Sequence, residues 1–184
     1  MYIVNASTDA VADSAAKEAH FDIEVLFRAH YARVARTIAR VVRDHARSEE
    51  LAVDVFLKLW RNHKAQQENA EAWLYRVAVN AGLDELRRQN RREHYERMLT
   101  WIRPRSVAAT PEDIHSQSQR QDKVRSVLSA IEPRQAQFLL LRSQDFSYQE
   151  VASILELNPA SVGTLLSRAQ ESFRKEYIKR YGHQ

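Results

Sequence analysis

Five residues in one stretch have the types and spacing to handle a nucleic acid together. At 100° per residue Trp73, Asn80, Asp84, Arg87 and Arg91 fall within about 40° of a single line along a helix. Arg76 and Arg88 flank that line. Tryptophan can stack on an unpaired base or buttress a strand separation. Arginine can hold a phosphate, and asparagine can bond a base edge. Arg87, Arg88, Arg91 and Arg92 form a local basic cluster. The competing use of the same residues is internal. Trp73 could pack in a core while the arginines pair with Asp84, Glu85 and Glu93.

Two further constellations stand out. Glu49, Glu50 and Asp54 precede Phe56, Leu57 and Trp60, which is more large apolar surface than one buried face needs. Surplus aromatics beside acids mark either a protein-docking surface or a well-buried core helix. Near the C-terminus Thr164, Arg168, Glu171 and Lys175 share one helix face, with Ser161 nearby, opposite Val162, Leu166, Ala169 and Phe173. Short hydroxyls and an arginine near a helix start suit a major groove. They also suit the solvated face of a helical hairpin.

Helices must carry all three. Phe27, Tyr31, Val34, Ile38 and Val41 repeat at helical spacing. Asp44 to Arg47 break that pattern, and Ser48 is the expected N-cap of a second helix with Leu51, Val55 and Leu59 inward. Residues 62–70 read as a polar loop, and a third helix is expected from about Glu71 to Arg92 over Leu74, Val77, Ala78 and Ala81. Periodicity fades from about Glu96, and Pro104 and Pro111 follow, so 96–121 reads as a flexible linker. Val124, Val127, Leu128 and Ile131 mark the next helix, and Pro133 opens another over Phe138 to Leu141. Ser147-Tyr148-Gln149-Glu150 is a capping box for a short helix, and Asn158-Pro159 starts the last one. A short capped helix, a brief turn and a longer helix form the helix-turn-helix plan, with Ala152 at the crossing and Leu157 plugging the turn. The turn lacks the customary glycine near Glu156.

The fold class is therefore all-α: two small helical domains joined by a flexible linker. The expected boundaries are a disordered tail at 1–20, domains at 21–95 and 122–184, and a linker at 96–121. Composition agrees. The chain has 184 residues, only 3 glycines, no cysteine, a net charge of +4 and a mean hydropathy of −0.56. Disulfides and cysteine-bound zinc are excluded. No apolar run reaches the roughly 20 residues of a membrane span, and no signal peptide is visible. No Gly-rich phosphate loop, HExxH motif or convergent acid–base group occurs, so no catalytic residue, metal ligand, cofactor or small-molecule substrate is expected.

The two blocks together resemble one family. SEELAVDVFLKLW and EAWLYRVAVNAGLDELRR resemble region 2 of sigma-70 factors, and IEPRQAQFLLLRSQDFSYQEVASILELNPASVGTLLSRAQ resembles region 4. The order, the short length and the missing region 3 match the extracytoplasmic-function group. The resemblance implies a cytoplasmic transcription initiation factor that binds core RNA polymerase and promoter DNA. Family members are often held by an anti-sigma factor, sometimes a membrane-bound one. It implies polymerase docking through Glu50, Asp54, Phe56, Leu57 and Trp60. It implies a −10 surface of Trp73, Asn80, Asp84, Arg87, Arg88 and Arg91, with loop 62–70 where the family captures a flipped base. It implies −35 contacts by Ser147, Tyr148, Ser161, Thr164 and Arg168. Val53 stands where the family usually has glutamine, and Gly163 and Leu165 stand where it usually has basic residues. Fewer phosphate contacts and a shallower salt dependence are expected from that helix. The alternative reading is a stand-alone helix-turn-helix regulator, which would bind an operator without polymerase, usually as a symmetric dimer.

Overall fold

The computed structural model describes residues 21–102 and 115–182. The expected N-terminal tail and the middle of the expected linker lie outside them. Eight helices make up the described residues: α1 Ile23–Ala39, α2 His45–Trp60, α3 His63–Gln67, α4 Ala70–Ile102, α5 His115–Ala130, α6 Pro133–Arg142, α7 Tyr148–Leu155 and α8 Pro159–Tyr181.

Short polar side chains start most of them. The Asp22 carboxylate accepts from the Glu24 and Val25 amides at 2.8 and 3.2 Å, and Asn158 accepts from Ala160 at 2.9 Å. Each satisfies a donor that the first helical turn leaves without an internal partner. Glu132 caps α6 with Pro133 in its first turn, and Ser147 and Glu150 close the expected capping box on α7. One expected cap is wrong. Ser48 lies inside α2, buried, with its hydroxyl donating to the Asp44 carbonyl at 2.9 Å. Asp44 is the cap, accepting from the Arg47 amide at 3.1 Å. The break in hydrophobic pattern at 44–47 is thus the first helical turn, turned toward solvent.

The first domain packs α1, α2 and α4 around Val34, Ile38, Val55, Leu59, Leu74, Ala78 and Leu83, all buried. Gly82 permits the close crossing of α1 and α4: a Cβ there would stand 3.1 Å from Val41 Cγ2 and 3.5 Å from the Ile38 Cα. The second domain buries Val127, Phe138, Leu141, Val151, Ala152, Ile154, Val162, Leu166 and Ala169 among α5–α8. Fully burying a leucine-sized side chain contributes about 1.5–3 kcal/mol, so these two clusters are the main source of stability.

The expected polar loop at 62–70 holds the short helix α3, capped by Asn62, whose side chain accepts from the Ala65 amide at 3.1 Å. Helices enter both ends of the expected linker, because α4 continues to Ile102 and α5 begins at His115. Tyr95, Met98 and Leu99 on this extension are exposed, so no buried stripe imposes a period there. Glu, Arg, Met and Leu keep it helical through propensity instead. The end of α8 likewise runs to Tyr181, beyond the expected stop near Tyr177.

The two domains also touch. Phe146, which precedes α7, is buried with its ring edge-on to Tyr75 of α4 at 4.8 Å between centroids. The Arg33 guanidinium of α1 lies 3.9 Å from the centre of the Phe146 ring.

Candidate nucleic-acid interface

Helix α4 carries the predicted stripe, and the structure divides it. Trp73 is half-buried and packs against the core, so its indole serves the internal use in part. Asp84 is exposed and accepts from Arg87 at 3.3 Å. Arg88 donates to Glu85 through Nε at 3.0 Å and Nη2 at 2.7 Å. Arg91 is exposed and forms no ion pair among the described residues. One buried nitrogen of Arg87 has no hydrogen-bond partner among the described residues. A buried donor without a partner is costly.

Arg87 and Arg91 open onto a cleft of about 880 Å³ between the domains, also lined by Arg43, Lys123 and Arg180. Its acids are partly committed. Glu93 and Asp122 both meet Arg43, at 3.4 and 2.8 Å. The cleft therefore keeps a positive balance on the side reached by Arg91.

Glu85 anchors the base of the stripe. Its side chain is buried beneath Arg88 and Arg47, the latter at 3.4 Å. The hydrogen bonds from Arg88, reinforced by the positive charges of Arg88 and Arg47, hold its carboxyl below the usual carboxylate range against the opposing effect of burial. Behind the stripe, burial pushes the Tyr75 phenol up, and its oxygen lies 2.9 Å from His30 Nδ1.

The other half of the stripe is met by the second domain. The Gln137 amide of α6 donates to the Asn80 side-chain oxygen. Arg76 pairs with Glu156, the residue after α7. At the start of α4 the Asn69 amide donates to the Ser153 hydroxyl at 3.0 Å. Sequence periodicity placed Asn80 and Arg76 on one face but could not show that face occupied, because the partners lie 57 and 80 residues away in the chain.

The expected docking set lies on α2. Phe56 is buried and packs edge-on against Phe27 at 4.8 Å. Glu50 and Asp54 are exposed, as are Leu57 and Trp60 at 40% and 58%. Val53 joins them at 41%. Its spacing of three and four from Glu50 and Leu57 was the available signal for it.

On the helix-turn-helix, Ser161, Thr164 and Arg168 are exposed on the outer face of α8. The Ser147 hydroxyl accepts from the Glu150 amide at 3.2 Å, which commits it to the cap. Tyr148 is exposed, with the Arg142 guanidinium 5.3 Å from its ring centre. A Cβ at Gly163 would meet the Tyr148 ring at 3.6 Å, an ordinary contact, so packing does not demand glycine there. Glu156 takes the left-handed conformation (φ 55°) in the turn, where glycine is customary.

Fold and surface thus define a two-domain helical protein whose second domain is a helix-turn-helix and whose first presents a basic helical stripe. Residues 26–92 match Sigma-70 region 2, and residues 121–171 match Sigma-70, region 4. The chain belongs to the sigma-70 family, in its extracytoplasmic-function group, and carries the family's promoter-recognition and transcription-initiation regions. It is 25% identical over 175 residues to the ECF RNA polymerase sigma factor SigE of Mycolicibacterium smegmatis, covering 94% of this chain and 66% of that one. It is 26% identical to the RNA polymerase sigma factor YlaC of Bacillus subtilis (85% and 92% covered) and 24% identical to the ferric citrate uptake sigma factor FecI of Escherichia coli (91% and 99%). Among solved structures, the sigma factor RpoE in complex with the anti-sigma factor NepR from Bartonella quintana aligns with a TM-score of 0.48 at 19% identity, covering 84% of this chain and 96% of that one. No described helix is long and apolar enough to cross a membrane, and no group of three or more possible metal ligands occurs among the described residues.

Proposed function

We propose that this chain binds core RNA polymerase in the cytoplasm and directs it to promoters by dividing the work between its two domains. The observation that carries the reading is the pairing of region 2 and region 4 in one chain, each with an exposed surface of fitting chemistry. Glu50, Val53, Asp54, Leu57 and Trp60 on α2 dock the polymerase. An exposed patch of acids and large apolar groups is the composition of a protein-binding surface.

The α4 stripe separates and reads the −10 element. Trp73 stacks against an unpaired base, Asn80 reads a base edge, and Arg87, Arg88 and Arg91 hold phosphates, with Asp84 orienting Arg87. The positive cleft that Arg87 and Arg91 line supports the phosphate role. Unpairing a step costs a few kcal/mol, which polymerase contacts and captured single strand offset. Ser161, Thr164 and Arg168 enter the −35 major groove, and Tyr148 lies at its edge. An anti-sigma factor is the further partner class of this reading, supported by membership of the extracytoplasmic-function group. The chain performs no chemistry of its own in this scheme; its work is binding and placement.

The test is in-vitro transcription with purified core polymerase and a genomic promoter pool, with and without the protein. New transcripts sharing two upstream elements are expected, and Trp73→Ala together with Arg87→Ala should abolish them. Operator binding by a symmetric dimer without polymerase would instead identify a stand-alone helix-turn-helix regulator.

A further inference from the structure

Glu85 is the one buried charged residue among the described residues, with its side chain 5% exposed. Taking a carboxylate out of water is costly unless charges and hydrogen bonds meet it. Side chains from two helices meet this one. Arg88 of α4 grips it through Nε at 3.0 Å and Nη2 at 2.7 Å, and the Gln89 amide donates to it at 3.3 Å. Arg47 of α2 reaches it through Nε at 3.4 Å and Nη2 at 3.5 Å.

The grip leaves the two arginines in different states. A guanidinium carries N–H donors on more than one edge of a rigid plane. Glu85 takes one edge of Arg88, whose side chain is still 62% exposed. Its remaining donors stand on the side away from the carboxylate, in a direction the grip fixes. Arg47 has its third nitrogen on Glu50 at 2.9 Å, so it offers charge more than donors.

Around the carboxylate lies a hollow of about 190 Å³ at the start of α2. A water molecule takes about 30 Å³ in the liquid, so a phosphate group has room there. Arg47, Arg88 and Arg92 line the hollow against the carboxylates of Glu85 and Asp44. Asp44 is committed to the α2 cap through the Arg47 amide at 3.1 Å. Arg92 pairs with Glu96 at 2.9 Å, but both are mostly exposed, and a pair of that kind is readily exchanged. The hollow keeps a positive balance, and an oxyanion is the ligand class that suits a gripped guanidinium beside a second one.

We propose that this hollow is a phosphate subsite of the promoter surface: Arg88 and Arg92 hold one DNA backbone phosphate, Arg47 adds its charge, and Glu85 is the positioning residue that aims Arg88. Arg92 thereby becomes a DNA contact outside the stripe of Trp73, Asn80, Asp84, Arg87 and Arg91. DNA is the source of the phosphate because Arg88 also borders that stripe. The subsite rests on the sigma-factor reading above.

The test uses holoenzyme assembled from core polymerase and the full chain, with a promoter fragment recovered from the genomic promoter pool. Binding is titrated over a range of salt. Arg92 is exposed and outside the core, so Arg92→Ala decides the subsite even if a Glu85 variant unfolds. The expected result is about tenfold weaker binding in Arg88→Ala and in Arg92→Ala, each with a log–log salt slope lower by about 0.9. The Arg88→Ala/Arg92→Ala double variant should lower the slope by about 0.9 once, because the phosphate is shared. Glu85→Gln should weaken binding about fivefold in the wild-type chain and less than about twofold in Arg88→Ala, since it acts through that arginine.

Wild-type affinity and slope in Arg92→Ala would overturn the subsite and leave the sigma reading standing. An equal loss from Glu85→Gln in both backgrounds would make Glu85 a structural residue only and overturn its positioning role. Inorganic phosphate is titrated into the free chain alongside. Loss of its binding in Arg92→Ala, with promoter binding unchanged, would assign the hollow to a free anion and overturn the DNA subsite. A wild type that binds no core polymerase and yields no transcript would overturn the sigma reading and the subsite with it.

Discussion

Helices α2 and α4 share one core, yet their outward faces differ in state. On α2 the acids and the large apolar groups Val53, Leu57 and Trp60 stand in solvent. On α4 the outward polar groups Arg76 and Asn80 are engaged by the second domain. One surface is open to solvent, and the other is partly covered. On the proposed function α2 can meet a protein without rearrangement, whereas Arg76 and Asn80 must exchange partners to meet DNA.

Neighbouring leucines on α2 sharpen this contrast most. Leu59 is fully buried and Leu57 is 40% exposed. Leu59→Ala should lower the stability of unfolding by about 2–5 kcal/mol, measured by chemical denaturation. Leu57→Ala should change it by less than about 0.5 kcal/mol. Trp60→Ala should weaken core polymerase binding by about 2 kcal/mol, about thirtyfold in a titration, with the fold intact. Equal polymerase affinity in wild type and Trp60→Ala would remove α2 from the docking surface.

The capping serine comes next. Ser147→Ala should cost about 1 kcal/mol of stability, since the hydroxyl is committed to the Glu150 amide. A loss of −35 affinity without that loss of stability would place Ser147 on the DNA surface.

Acid sensitivity probes the base of the α4 stripe. The folded Glu85 carboxyl titrates below its unfolded value of about 4.3. Its contribution to stability is therefore complete above that pH and is lost as pH falls through the lower folded value. Glu85→Gln should be less stable than wild type at neutral pH, and the gap should narrow in acid denaturation below about pH 4.

The smallest effect concerns α8. Arg168→Ala should reduce the log–log salt slope of promoter binding by about 0.9 if that side chain neutralises one phosphate. Gly163→Arg should steepen it by a similar amount if the new guanidinium reaches a phosphate, because a Cβ meets only ordinary contact there.

Local rules made much of this protein legible in its sequence. Helical periodicity placed Val34, Ile38, Leu74, Val162 and Leu166 inward, and turn chemistry located the capping box at Ser147 and the start at Pro159. These features depend on residues within a turn or two of each other, so spacing reports them directly. The family motifs also lie within continuous stretches, which is why both regions could be recognised. Where local rules competed, the sequence misled. A solvent-facing first turn hid the true start of α2 at Asp44, and the pattern alone left open whether Phe56 faces in or out, which its contacts with Phe27 and Tyr31 decide. Only the tertiary structure decided what meets the outward face of α4. Whether Asn80 meets solvent or Gln137, and whether Phe146 finds Arg33, depends on groups far apart in the chain. Their encounter is set by the packing of two cores, and no spacing within either block records it.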